Sequence, residues 1–177
     1  KGIDIGIKAV ARLKAQHPEV AIEYLIAGDG PLMPHLKGLI QEMACEDTIR
    51  LLGWRDQDEV ERLMASAHIL LAPSVTGSDG DQEGIPVVLM EALAKGVIVC
   101  ASAHGCIPEL IVSDQTGFLV PEGDMDNLSR TLDRIIGRQS EWPGICERGR
   151  QKIWSEYNIN KLNKNLTGIF DRILNAA

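Results

Sequence analysis

The stretch from residue 68 to residue 101 reads HILLAPSVTGSDGDQEGIPVVLMEALAKGVIVCA, and its pattern decides the fold class. His68–Ala72 and Val97–Ala101 are short apolar runs of the kind that form buried strands. Between them, a polar, glycine-rich loop over Ser74–Gln82 leads into a predicted helix from about Pro86 to Lys95. A strand, a crossover helix and a second strand of these lengths are typical of a parallel sheet.

The same alternation of strands and helices continues on both sides of this stretch. Upstream, the pattern predicts a helix over 3–15, a strand over 20–27, a helix over 32–45, a strand over 48–52 and a helix over 57–67 that Asp56 and Glu59 can cap. Downstream, it predicts a helix over 108–112, a strand over 117–120 and helices over 124–136, 142–155 and 159–174. We therefore predict an α/β fold, a doubly wound, Rossmann-like parallel sheet with extra C-terminal helices.

The last predicted helix carries an apolar stripe at helical spacing. Its members are Ile159, Leu162, Leu166, Ile169, Phe170 and Ile173. The simplest expectation is that this stripe packs onto the domain itself, and the alternative is that it reaches a partner domain in the intact protein.

Composition and charge indicate a single globular domain over residues 1–177. Hydrophobic residues make up 45% and charged residues 24%, as in average soluble proteins, and no run approaches the ~18 apolar residues of a membrane span. The net charge of -7 disfavours nucleic acid as a partner. The four cysteines lack CxxC spacing, so we expect reduced thiols and a cytoplasmic protein, which in full-length form lies at the inner face of the membrane.

The chain begins at Lys1, inside what resembles the entry to a helix, so we expect it to be an excised piece of a longer protein.

The most specific candidate site is the segment from Glu83 to Glu91, where the loop turns into a helix. Eight residues of helix rise about 12 Å, so two carboxylates at this spacing can hold two ends of one ligand.

The start of this helix also favours an anion. Its first turn offers unpaired backbone N–H groups, and the helix dipole favours negative charge there, so a pyrophosphate would fit. Gly84 permits close approach of a ligand, and Pro86 suits the first helical position. Carboxylates accept bonds from hydroxyls, which assigns sugar and ribose to the glutamates. Spacing alone leaves open that Glu83 only caps the helix and that Glu91 is solvated.

These residues carry a resemblance to a known family. EGIPVVLMEALAKGVIVCA at 83–101 resembles the E-x7-E signature of family 4 retaining glycosyltransferases, which have the two-domain GT-B fold. Further segments occur in the family's order along the whole chain: K-G at 1–2, I-x-G-x-G at 26–30, the strand-ending glycine at 53, L-x-P-S at 71–74, P-E at 108–109, G-x-L-V at 117–120 and Asp124. The chain therefore resembles the C-terminal, nucleotide-sugar-binding half of such an enzyme, of the kind that acts in bacterial exopolysaccharide and colanic acid assembly.

The resemblance implies roles for individual residues. Glu83 would contact hydroxyls of the transferred sugar, Glu91 the ribose and Lys1 the diphosphate. The other donor-binding positions that it implies are Gly84, Ile85, Val87, Val88, Trp54, Arg55, Ser74 and Gly105, with the backbone of Trp54 and Arg55 facing the nucleobase.

Two segments depart from the family pattern. His104-Gly105-Cys106 stands where members often have Gly-Gly, and we interpret His104 as a surface residue, with contact to a phosphate as the alternative. The loop over 75–82 is unusually long and carries Asp79 and Asp81, which we expect to be solvated rather than to bind a cation.

The resemblance implies transfer of a hexose, with retention, from a UDP-linked sugar to a glycan or lipid-linked acceptor. It implies no metal and no further cofactor, and an acceptor site in a missing N-terminal domain, so the piece alone should be inactive. The alternatives are an NAD-binding oxidoreductase domain and a non-transferring enzyme such as an epimerase. The oxidoreductase fits poorly because Met33 replaces the third glycine of its fingerprint.

Overall fold

The structure is a computed structural model that describes residues 1–77, 80 and 84–175. Within these ranges the chain alternates strands and helices as predicted. The strands are β1 (Tyr24–Ala27), β2 (Ile49–Gly53), β3 (Ile69–Ala72), β4 (Ile98–Ser102) and β5 (Phe118–Val120). The helices are α1 (Ile3–Gln16), α2 (Met33–Glu42), α3 (Gln57–Ser66), α4 (Val87–Lys95), α5 (Ile107–Leu110), α6 (Met125–Gly137), α7 (Trp142–Glu156) and α8 (Ile159–Leu174), with a short 3₁₀ turn at Gln139–Glu141.

Two elements are four residues shorter than the sequence predicts. β1 begins at Tyr24 instead of Val20, because its partner strand starts at Ile49 and offers no ladder to earlier residues. α2 ends at Glu42 instead of residue 45, because Ala44 adopts a positive φ of 49° that an α-helix cannot contain. The predicted cap of α3 is confirmed, since Asp56 and Glu59 form a reciprocal capping box.

All strand pairs are parallel, and they fall into two hydrogen-bonded groups. β1 pairs with β2, with Tyr24 opposite Ile49, while β3, β4 and β5 form a second group in that order. In the second group β4 is central, pairing Ile98 with Ile69 on one side and Cys100 with Phe118 on the other. The expected Rossmann-like α/β class is confirmed, although the described residues show no hydrogen-bonded ladder joining the two groups.

Two apolar clusters cover the two faces of β4. The first core contains Ile98 and Cys100 together with apolar residues of α1, α2, α6, β1 and β2. The second core contains Val99 and Ala101 together with residues of α3, α4 and α5. Neighbouring residues of a strand point to opposite faces, so this alternation places helices on both sides of the sheet, as a doubly wound fold requires.

The last two helices differ in how they contact the domain. α7 packs against α4 and buries Ile145 and Gly149. α8 buries none of its residues, and its apolar side chains are 43–75% exposed. The expectation that the α8 stripe packs onto this domain is therefore wrong, because none of its side chains belongs to either core. Contact with a partner domain stays a prediction.

Candidate functional site

The candidate site lies at the edge of the sheet where the strands end. In parallel strands all carboxyl ends meet at one edge, which is where open α/β sheets bind ligands. The loops that follow β1 to β5 begin at Gly28, Trp54, Pro73, Ala103 and Pro121. Each crossover helix returns the chain to the opposite edge, so α4 begins at this carboxyl edge.

The start of α1 reaches the same edge through Gly2. Gly2 precedes the first residue of α1, has a φ of 61°, and lies so close to the carbonyl oxygen of Pro73 that no Cβ would fit between them. Only glycine tolerates both the positive φ and this contact. The predicted phosphate ligand Lys1 is thereby brought beside the loop after β3, as the K-G motif suggests.

The first turn of α4 is exposed and has no side-chain cap from the residues that the structure describes. Val87 and Val88, its first two residues, are 61% and 37% exposed, and no side chain of the preceding Pro86 can cap the turn. The first backbone N–H groups of a helix have no acceptor within it, so this turn is able to bind an anion. Gly84 leaves space next to the turn, since among the described residues no heavy atom beyond its chain neighbours lies within 4 Å of a Cβ built there.

Pro86 does not occupy the first helical position that the sequence predicts for it. Pro86 is the residue before the helix, with an extended backbone at φ -63° and ψ 127°, and not the first helical residue. Ile85 beside it is half-buried against the second core, which also contains Ile107 at the end of the loop after β4. The approach to α4 and the loop after β4 therefore share one apolar support.

Of the two glutamates of the motif, the structure describes only Glu91. Glu91 is a half-buried residue on α4, about one turn from its start, with no ion pair to other described residues. Glu83 lies outside the described residues, as do Asp79 and Asp81 of the long loop. The proposed pairing of Glu83 with Glu91 on one ligand stays a prediction.

The positions predicted to face the nucleobase follow β2. Gly53 has a φ of 73° and accepts a hydrogen bond from Gly28 N–H at 2.8 Å, which joins the loops after β1 and β2. Trp54 is 71% exposed, and the Arg55 guanidinium donates to the Trp54 carbonyl at 3.0 Å. Among the described residues, no hydrogen bond or ion pair connects Trp54 or Arg55 with the loop after β3.

The loops after β3, β4 and β5 are connected by one carboxylate. One oxygen of Glu122 accepts from the backbone N–H of Thr76 at 2.5 Å, and the other lies 3.0 Å from Nδ1 of His104. His104 is only 1% exposed, so the interpretation of His104 as a surface residue is wrong. Ser74, two residues before Thr76, is buried. Gly105, the residue after His104, is exposed and has a φ of 52°.

These hydrogen bonds stabilise the charged form of Glu122. They lower the pKa of its carboxyl group from 4.5 to about 2, with the Thr76 N–H as the largest cause and the His104 ring next. Glu122 is therefore ionised throughout the neutral range and acts only as an acceptor.

Sequence reasoning missed Glu122, although a signal for it exists. Glu122 comes two residues after β5, and His104 comes two residues after β4. Because β4 and β5 are neighbours, an acidic and a basic side chain at their carboxyl ends are placed to meet.

Metal-binding clusters and membrane-spanning helices are two features that the described part of the chain lacks. No group of three or more histidine, cysteine, aspartate or glutamate side chains there is arranged to hold a metal ion. Within the same ranges, no helix combines the length and apolar character that crossing a membrane requires. The four cysteines are free thiols.

Comparison with curated proteins identifies close relatives. The chain is 37% identical over 174 residues to WcaL of Escherichia coli K12, whose name assigns it to colanic acid biosynthesis, and 39% identical over 173 residues to the amylovoran biosynthesis glycosyltransferase AmsK of Erwinia amylovora. Each match covers 98% of this chain and 42% of the relative. The chain thus spans about two fifths of the length of these relatives.

Among solved structures, the chain superimposes on HepE of Anabaena in complex with UDP-glucose with a TM-score of 0.82. The match has 21% sequence identity and covers 97% of this chain and 45% of HepE. This likeness supports the fold.

The model of the family described as glycosyl transferases group 1 matches residues 1–153. These matches disfavour the oxidoreductase and epimerase alternatives, and they show that the chain belongs to the group 1 glycosyl transferase family.

Proposed function

We propose that this domain binds the nucleotide-diphosphate sugar, UDP-linked, of a retaining glycosyltransferase. In the proposal, the longer protein transfers a hexose from that donor to a glycan or lipid-linked acceptor during cell-surface polysaccharide synthesis. The observation that carries the proposal is the exposed, uncapped first turn of α4, which follows Gly84 at the carboxyl edge of the sheet.

Three features of the described residues support a diphosphate at this turn. Its free N–H groups and the helix dipole favour an anion. The contact of Gly2 with Pro73 brings the cationic Lys1 to the same edge. Glu91, about one turn further along α4, offers a carboxylate that can accept hydrogen bonds from the ribose hydroxyls of the same ligand.

The comparisons support the chemical class of the ligand. HepE, which shares the fold, is described in complexes with UDP, with UDP and glucose, and with UDP-glucose. WcaL and AmsK are named for the synthesis of colanic acid and amylovoran. By analogy, a UDP-linked hexose and a polysaccharide product are the proposal for this protein, with the acceptor bound by the rest of the longer chain at the inner face of the membrane.

In the proposed mechanism the domain supplies electrostatic stabilisation and requires no metal. Lys1 and the N–H groups of Ile85, Val87 and Val88 would stabilise the negative charge that develops on the leaving diphosphate. Glu83 would hold the sugar hydroxyls. The leaving diphosphate itself would accept the proton of the acceptor hydroxyl, so that the anomeric configuration is retained without a protein nucleophile.

The first test is binding of UDP to this chain by calorimetry in the presence of a metal chelator. Glu91→Ala should weaken UDP binding by roughly 1–3 kcal/mol, because ribose hydroxyls lose their acceptor. The matched control is Glu42→Ala, since Glu42 is an exposed glutamate at the end of α2 and lies at the opposite edge of the sheet. Equal UDP affinity in Glu91→Ala and wild type would remove Glu91 from the site, and no UDP binding by wild type would contradict the proposed function.

A further inference from the structure

The Glu122 carboxylate connects three loops of the candidate site. It follows β5, accepts from the Thr76 N–H in the loop after β3 and contacts His104 Nδ1 in the loop after β4. The side chain of Glu122 is 34% exposed, whereas that of His104 is 1% exposed. The pair thus consists of a partly exposed carboxylate and a ring buried beneath the edge of the site.

The chemistry of the pair determines which atom carries the proton. An ionised carboxylate only accepts hydrogen bonds, so His104 must donate through Nδ1–H. The ring is thereby held in one orientation and with the proton on Nδ1. The ring is buried, whereas the next residue, Gly105, is exposed at the edge.

We infer that Glu122 and His104 are positioning residues of the donor site. They fix Thr76, at the start of the loop after β3, and Gly105, in the loop after β4, in one relative arrangement, so that Gly105 and the first turn of α4 face the same nucleoside diphosphate. This inference rests on the proposed function. Neither residue is required to touch the donor.

Three substitutions of Glu122 separate geometry from charge. Glu122→Gln loses the charge but keeps both contacts, because its amide oxygen accepts from Thr76 N–H and its amide nitrogen donates to His104 Nδ1 once the ring proton moves to Nε2. Glu122→Asp keeps the charge, but its shorter side chain cannot reach both partners. Glu122→Ala loses charge and contacts together.

The experiment measures the UDP affinity and the thermal stability of the four proteins. The positioning role predicts that Glu122→Ala and Glu122→Asp weaken UDP binding, by about 10-fold for Ala, while Glu122→Gln stays within about 2-fold of wild type. A role through charge alone predicts the reverse order for Asp and Gln, and that order would overturn the inference. The control Glu141→Ala removes an ion pair with Arg138 away from these loops and should leave UDP affinity unchanged.

A second measurement detects the proton between His104 and Glu122 without any ligand. It compares wild type with Glu122→Gln, the variant that keeps both contacts. In nitrogen-15 NMR of the histidine rings, His104 should carry a proton on Nδ1 in wild type and should lose that proton in Glu122→Gln. An Nδ1 that is unprotonated in wild type would overturn the inference. Wild type that shows the Nδ1 proton but binds no UDP would refute the proposed function and the donor-site role together, whereas UDP binding that is equal in wild type, Asp and Ala variants would refute only the positioning role.

Discussion

Helices α7 and α8 follow one another in the chain and both have apolar faces, but only α7 is part of the folded core. Ile145 of α7 is 1% exposed, and Gly149 packs against Leu93 of α4. In α8 the corresponding apolar residues are 43–75% exposed. The group 1 glycosyl transferase match also ends at residue 153, inside α7. The difference shows that helical spacing of apolar residues predicts an apolar face, but it does not predict which element packs against that face.

The largest difference between the two helices should appear when one isoleucine of each is truncated. Ile145→Ala removes buried methyl groups from the first core and should lower the free energy of unfolding by about 3 kcal/mol. The matched change in α8, Ile169→Ala, affects a side chain that is 43% exposed and should cost less than about 0.5 kcal/mol. Urea denaturation followed by circular dichroism measures both, and equal losses would contradict the distinction.

A pair of glycines should sharpen the comparison by giving effects of opposite sign. A Cβ at Gly149 would lie 2.9 Å from the Leu93 side chain and 3.1 Å from the Thr116 carbonyl oxygen, so Gly149→Ala should destabilise the protein by about 1 kcal/mol. A Cβ at Gly168 would meet no heavy atom within 4 Å beyond its chain neighbours and the backbone of its own helix, so Gly168→Ala should stabilise α8 by about 0.5–1 kcal/mol. Denaturation tests the first, and amide exchange within α8 tests the second. Two effects of the same sign would be inconsistent with the packing described.

The smallest effect concerns the charge that anchors the start of α7. Both carboxylate oxygens of Glu141 accept from the Arg138 guanidinium, at 2.7 and 2.6 Å, and this lowers the pKa of Glu141 below its ordinary value of 4.5. A lowered folded-state pKa contributes stability above the unfolded value and loses it as the pH falls through the folded value. The stability difference between wild type and Glu141→Gln should therefore be constant in neutral solution and shrink below pH 4.5. Denaturation midpoints across this range measure it, and a constant difference at acid pH would argue against the anchor.

Most of the fold could be predicted from the sequence because each strand and helix carries its own local signal. Asp56 and Glu59 form the predicted cap of α3, and Gly96 ends α4 with a φ of 77°. The errors arise where a distant partner decides the outcome. The early start predicted for β1 failed because β2 provides no partner before Ile49, and the burial predicted for α8 failed because no element of the described chain covers it.

The site shows the same division between local and distant information. The helix start at α4 and the position of Glu91 follow from a continuous motif, and the contact of Gly2 with Pro73 accounts for the glycine of the K-G motif. The Glu122 and His104 pair lies in no continuous motif, since 18 residues separate its members. Its formation depends on β4 and β5 being neighbours, which the order of strands in the sequence does not fix.

The placement of β4 has a consequence for how the domain unfolds. Its five residues are all buried, and alternate ones belong to the first and the second core. Loss of this strand would expose both cores at once, so neither layer of helices can melt while the other stays intact. The two layers are thermodynamically coupled through the β3–β4–β5 sheet, most directly through its central strand β4, which makes one cooperative transition the natural unfolding behaviour of the domain up to the end of α7.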